Sequence, residues 1–251
     1  MTDPLRTHPA TTSPGPRTCT CFDQFEPGRR RRVRFHPEQQ DTSAPGWLRL
    51  LDLIEEAATD GREVFRPLAG LDPQEREQIV TLPPTIARLT AVRTLNLYGS
   101  RLVRIPPEIG AMTALREFVP YTSYRLHWFP YELTRCTLLR SSTVSTRALY
   151  GNEKVRPPFP ALRGGPHPVG EVDPGVWGGG ALRACSVCDR PLDGSEVRQV
   201  WVSLRVATDV LPLLVNACSA ACVAALPTPP AGHLAEPHTG GPALAQPPAD
   251  Y

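Results

Sequence analysis

The sequence predicts an α/β fold: a short run of repeated coils closed at its N-terminal end by a helix, followed by a small β-hairpin/α module. Three observations predict it. From Thr81 onward, apolar residues recur at spacings of 23 and 24 residues. An amphipathic segment precedes them, and four cysteines in two close pairs follow. Pro (30) and Gly (19) make up nearly a fifth of the 251 residues and crowd at both ends and in one internal stretch, so less of the chain is expected to pack than its length would suggest.

Residues 1–46 hold Pro, Thr, Ser and Arg without periodic apolar residues. They read as a disordered tail, unable to bury enough surface to offset chain entropy. The repeat domain is assigned to residues 47–163. It begins where Trp47, Leu48, Leu50, Leu51, Leu53 and Ile54 fall at helical spacing, with Glu55, Glu56 and Asp60 opposite them and Gly61 at the expected C-terminal end. This helix is assigned as the N-terminal cap. A second helix is predicted around Asp72 to Val80, where Asp72 supplies the N-cap and Pro73 the first turn.

The repeat is carried by Leu82-Pro83, Ile105-Pro106 and Phe129-Pro130, and other positions keep step with them. Ile86, Ile109 and Leu133 form one such column; Val92, Leu115 and Leu139 form another. Residues 95 and 97 alternate as in a strand and point inward, while 94, 96 and 98 point outward. One coil cannot cover the apolar interior alone, but stacked neighbours can. The best copy is Leu89-x-x-Val92-x-x-Leu95-x-Leu97-x-x-Ser100-x-Leu102-x-x-Ile105-Pro106-x-x-Ile109-Gly110, and it resembles the consensus of bacterial leucine-rich repeats of the short Ile-Pro type. The resemblance implies a solenoid with protein binding on its sheet face. There the outward columns are Thr94, Glu117, Ser141; Asn96, Val119, Thr143; and Tyr98, Tyr121, Ser145.

The copies also depart from that pattern. Ser100 and Ser123 stand where the family has asparagine, so the asparagine ladder is absent or weakened. Pro120 stands where Leu97 and Val144 stand, and Ser142 replaces an inward leucine. The segment Leu149 to Leu162 is expected to close the far end.

A Gly/Pro stretch, 164–180, reads as a linker, and residues 181–227 as a second unit. Cys185-x-x-Cys188 and Cys218-x-x-x-Cys222 have the ligand plan of a four-cysteine zinc site. Between the pairs, Val200, Val202, Leu204 and Val206 alternate as a strand, and Leu211 to Val215 form a second apolar run. The Ala-rich residues after Asn216 are helix-prone. This order resembles treble-clef modules, and a unit so small gains much of its folding energy from one structural zinc ion. Four uncoordinated thiols are the second reading, and a redox or catalytic site the last, since no His lies between Cys185 and Cys222. Residues 228–251 read as a disordered Pro/Ala tail.

Composition narrows function further. A net charge of +2 does not support whole-molecule attraction to nucleic acid or membrane. No apolar run reaches membrane-spanning length, and Met1 to Pro16 lacks the apolar core of a secretory signal, so a cytoplasmic protein is expected. The single lysine, Lys154, follows Glu153, which excludes a phosphate-binding Walker loop and a kinase strand lysine. Arg29 to Arg32 with Arg34 could hold nucleic acid or an acidic surface, or be a solvated charge run. Cys19 and Cys21 are expected to be free, and Cys136 to be a core residue. Tyr124, His127, Trp128 and Tyr131 form either an exposed aromatic patch or a surface that the later units cover. The function expected is a non-enzymatic protein- or peptide-binding scaffold; the alternative is a nucleic-acid-associated protein using the arginine run and the zinc module.

Overall fold

A computed structural model describes residues 33–173, 182–192 and 196–249 as a mixed α/β structure with two four-stranded sheets. Helix α1 (Pro45–Asp60) starts on a proline at its first turn and ends at Gly61, whose φ of 65° is the left-handed conformation glycine adopts most readily. Its apolar stripe, Trp47, Leu50, Leu53, Ile54 and Ala57, is buried. Strand β1 (Val64–Phe65) follows, then helix α2 (Pro73–Glu77). Asp72 and Glu75 form a reciprocal capping box at the start of α2, each carboxylate accepting the other's backbone N–H.

Strands β2 (Thr94–Asn96) and β3 (Glu117–Val119) come next, then β4 (Phe129–Pro130) and β5 (Ser141–Ser142). β1, β2, β3 and β5 form one parallel sheet, with Thr94 opposite Glu117 and Glu117 opposite Ser141. After the predicted Pro steps, the chain makes tight turns at Pro84–Arg88, Pro107–Ala111 and Tyr131–Arg135. Hydrogen bonds then repeat from coil to coil: Val92, Leu115 and Leu139 each donate a backbone N–H to the residue three before. Those three side chains share one apolar interior with Leu95, Leu97, Phe118, Ile86, Ile109 and Leu133. Coils approach closely at Gly110, where a Cβ would lie 2.7 Å from the Glu132 carbonyl oxygen. Two serines link neighbouring turns: Ser100 Oγ donates to Ser123 Oγ (2.7 Å), which donates to the Leu97 carbonyl (3.1 Å).

The second sheet has the order β4-β8-β7-β6, built from β6 (His167–Pro168), β7 (Glu196–Val206) and β8 (Asp209–Ala217). β7 and β8 are an antiparallel hairpin, and β8 also runs parallel to β4, with Phe129 opposite Leu213. Helix α3 (Ala220–Ala224) ends the unit. One hairpin face carries Val202, Leu213 and Val215 into the interior of the coils. The other carries Trp201 and Leu214 into an aromatic cluster with Phe35, Trp128, Tyr150 and Phe159. Closure of the last coil therefore differs from the expectation. The hairpin covers it, and the predicted closing segment instead contributes Tyr150 and Phe159 to the aromatic cluster.

Residues within the expected tails and linker also make defined contacts. Residues 33–46 make contacts on both sides: Phe35 stacks on Trp201 of the hairpin at 5.7 Å, and the Gln40 side chain bonds the Gln78 carbonyl and the Val80 N–H beside α2. His167 and Pro168, within the linker stretch, pair with β7. In the C-terminal stretch, His238 exchanges two backbone hydrogen bonds with Trp201. Residues 1–32 lie outside the described residues, and with them Arg29 to Arg32, Cys19 and Cys21. No helix among the described residues is long and apolar enough to cross a membrane.

Candidate metal centre and recognition face

The first cysteine pair sits on a tight knuckle. Cys185 donates its backbone N–H to the Arg190 carbonyl and accepts Asp189's on its own carbonyl, with Asp189 left-handed at φ 60°. The second pair flanks the start of α3, where Ser219 is the N-cap and its hydroxyl accepts the Cys222 N–H at 3.2 Å. β7 and β8 bring these two structures together from opposite sides of a 29-residue insertion. The four sulfur atoms of Cys185, Cys188, Cys218 and Cys222 all lie within 4.8 Å of one another. Cys188–Cys218 and Cys218–Cys222 are each 3.6 Å apart, far beyond a disulfide bond. The edge of a tetrahedron with 2.3 Å metal–sulfur bonds is about 3.8 Å, so the cluster is sized for one metal ion.

Electrostatics favour a thiolate here. A hydrogen bond from the Arg190 backbone, followed by contacts with the neighbouring thiols, lowers the Cys188 pKa to about 7. Desolvation and the shared thiol contacts push Cys218 up to about 12. Val187 and Cys218 donate backbone N–H groups to Cys185 Sγ at 3.4 and 3.3 Å. A metal ion would displace the remaining protons, which is why thiolate sites bind more weakly as pH falls.

Sequence reasoning missed the residues that fix this knuckle to the rest of the fold. Ser186 bonds the Asn216 backbone in both directions. Arg135, from the last coil, donates to the Ser186 carbonyl at 2.9 Å and pairs with Asp189 at 2.6 Å. Arg135 sits two residues past Leu133 of the Ile86–Ile109–Leu133 column, and nothing local in the sequence points it at a cysteine knuckle over fifty positions away.

The outward columns lie side by side on the parallel sheet. Tyr98 and Tyr121 are 58% and 45% exposed, with ring centroids 6.1 Å apart. Glu117 and Thr143 are exposed, while Thr94, Asn96, Val119, Ser141 and Ser145 are half-buried. Thr94 donates to the Glu117 carboxylate at 3.1 Å, and Asn96 accepts the Tyr98 N–H at 3.0 Å. Ser145 accepts the Thr122 N–H at 2.9 Å.

Of the aromatic patch, Tyr124 is exposed, Tyr131 is half-buried, and His127 and Trp128 are covered by the N-terminal segment and the hairpin. Cys136 is a buried core residue whose thiol desolvation raises to about 11. Arg34 is exposed. In comparisons with known proteins, no protein-family model matches this chain and no curated protein matches it.

Proposed function

We propose that this chain is a non-enzymatic interaction protein. It binds a protein or peptide on the sheet face of a short leucine-rich repeat whose far end is closed by a zinc-stapled hairpin. The observation that carries the reading is the register of the parallel sheet, which aligns Tyr98 with Tyr121 beside the Thr94–Glu117–Ser141 and Asn96–Val119–Thr143 columns. Adjacent exposed tyrosines flanked by an acid and small polar groups suit a polar protein or peptide ligand, because each ring offers apolar area and a hydroxyl at low entropic cost. Pull-down with a Tyr98→Ala, Tyr121→Ala double variant tests it. Loss of the partner supports the face, and unchanged recovery overturns it.

Zinc is the metal that four thiols favour, and a set without His or carboxylate leaves no open position for catalysis. Metal analysis should find about one zinc per chain, absent from a Cys218→Ser variant. Iron at the same stoichiometry would overturn the zinc assignment while leaving the sheet face untouched.

A further inference from the structure

A cavity of about 420 Å³ lies between the turns of the coils and the cysteine knuckle. Its size falls in the range of small-molecule pockets, about 300–1,000 Å³, and is too small for a folded partner. Trp47, Leu82, Ile105 and Leu182 give it apolar walls. Two buried polar side chains also line it, and each keeps atoms without a hydrogen-bond partner.

The first is Arg104, only 2% exposed. Its Nη2 donates to the backbone carbonyls of His36 and Glu38, at 3.2 and 2.5 Å, but Nε and Nη1 have no hydrogen-bond partner. The nearby Glu38 carboxylate is engaged by Arg125 and His36. Burial pushes the Arg104 pKa down, which measures how poorly its charge is solvated. Glu38 and Asp173 offset that burial only in part, and a buried cation short of hydrogen-bond partners is expensive, so proteins keep such groups mainly where something else completes them.

The second is Glu132, 4% exposed, with Oε2 unpartnered. Burial raises its pKa, against hydrogen bonds from its own backbone and from Ser186 and the charge of Arg135, so the carboxyl is biased toward the form that can donate a hydrogen bond. Arg135, also on the wall, is already paired with Asp189. The buried groups with unpartnered atoms are thus a guanidinium and a carboxyl biased toward protonation, while Glu108, Arg183 and Asp189 stand elsewhere on the lining.

We propose that this cavity binds a small organic monocarboxylate, its carboxylate on Arg104 and its apolar body against Trp47, Leu82, Ile105 and Leu182. The site is independent of the sheet face, so either can fail without the other. Calorimetric titration of the metal-loaded full-length protein with benzoate, octanoate and naphthalene-2-carboxylate tests the assignment. At least one should bind saturably with one site per chain, and at least tenfold more tightly than the matching alcohol. Arg104→Met should remove that preference while retaining the alcohol's affinity. The acid-versus-alcohol comparison on the unmodified protein needs no variant, so it stands even if Arg104→Met fails to fold. Absence of saturable binding for all three acids, or equal affinity for acid and alcohol, would overturn the proposal.

Discussion

The two ends of the coiled interior are closed in different ways. At the N-terminal end the cover is α1, adjacent in sequence to the coils and applied through a single apolar stripe. At the other end it is the β7–β8 hairpin, which arrives from much later in the chain and is buried on both faces. A helix satisfies its own backbone and needs only a greasy face to act as a lid. A two-stranded hairpin is marginal alone; this one is held by β4 and β6 along its two edges and by Ser142 at its turn, and a metal on the four cysteines would fasten its open end. A lid that is near in sequence needs only packing; a distant one needs fasteners.

Removing metal should widen that contrast most. Chelation should cost about 4 kcal/mol or more, the stabilisation that a ligand supplies at a thousandfold excess over its dissociation constant. Hydrogen exchange should then quicken in β7 and β8 while the β2 and β3 amides keep their protection. Equal loss at both ends would show that the fasteners hold the whole coil and not its far lid.

A Ser142→Leu substitution comes next. It restores the leucine that the inward column leads one to expect, yet should destabilise by about 2–3 kcal/mol in urea denaturation. Ser142 Oγ donates to Asp209 at 2.7 Å, and Thr208 Oγ1 donates to the Ser142 carbonyl at 2.7 Å. A leucine would collide with the hairpin turn and strand the Asp209 carboxylate. A stabilised variant would mean that the turn does not seat there.

The hairpin's outer face can be probed by pH. His238 lies edge-on to Phe159 at 4.6 Å, its Nδ1 accepts the Gly240 N–H, and burial lowers its pKa to about 4. The folded state therefore holds the neutral ring, and the unfolded state binds the extra proton between about pH 6.5 and 4. This contribution is complete above pH 6.5 and is lost as pH falls toward 4, roughly 1–2 kcal/mol after allowing for the ring's partial exposure. A His238→Gln variant should show a flatter stability profile across that window; an unchanged slope would assign the acid sensitivity to other groups. The smallest effect belongs to the helical end: Asp72→Ala, which removes one half of the capping box, should cost about 1 kcal/mol in thermal melts.

Legibility in the sequence follows the same divide. The columns through Leu95, Val92 and Ile86 could be read because each coil repeats the same local problem at nearly constant spacing. β1 could not, because Val64 pairs with Thr94 across a 30-residue step that contains α2. The cysteine cluster was readable from spacing alone, since ligand chemistry restricts both residue type and separation. Where the hairpin docks was not. One trace of it was present: the nearly unbroken apolar run of β8 demands cover on both faces, as buried central strands do. Ser142 was the other trace, an apparent defect in the repeat that is the hairpin's anchor. Phe35 and His238 sit in Pro-rich surroundings without period, so only the tertiary aromatic cluster reveals their place.

The pairing of Phe129 with Leu213 also sets an order of events during synthesis. When the last coil leaves the ribosome, the strand that will cover it has not been made, so Leu133 and Leu149 face water until the nascent chain has grown past residue 217. Newly made copies thus pass through a stage with one sealed and one open end, during which chaperones or neighbouring chains compete with the hairpin for the same apolar surface.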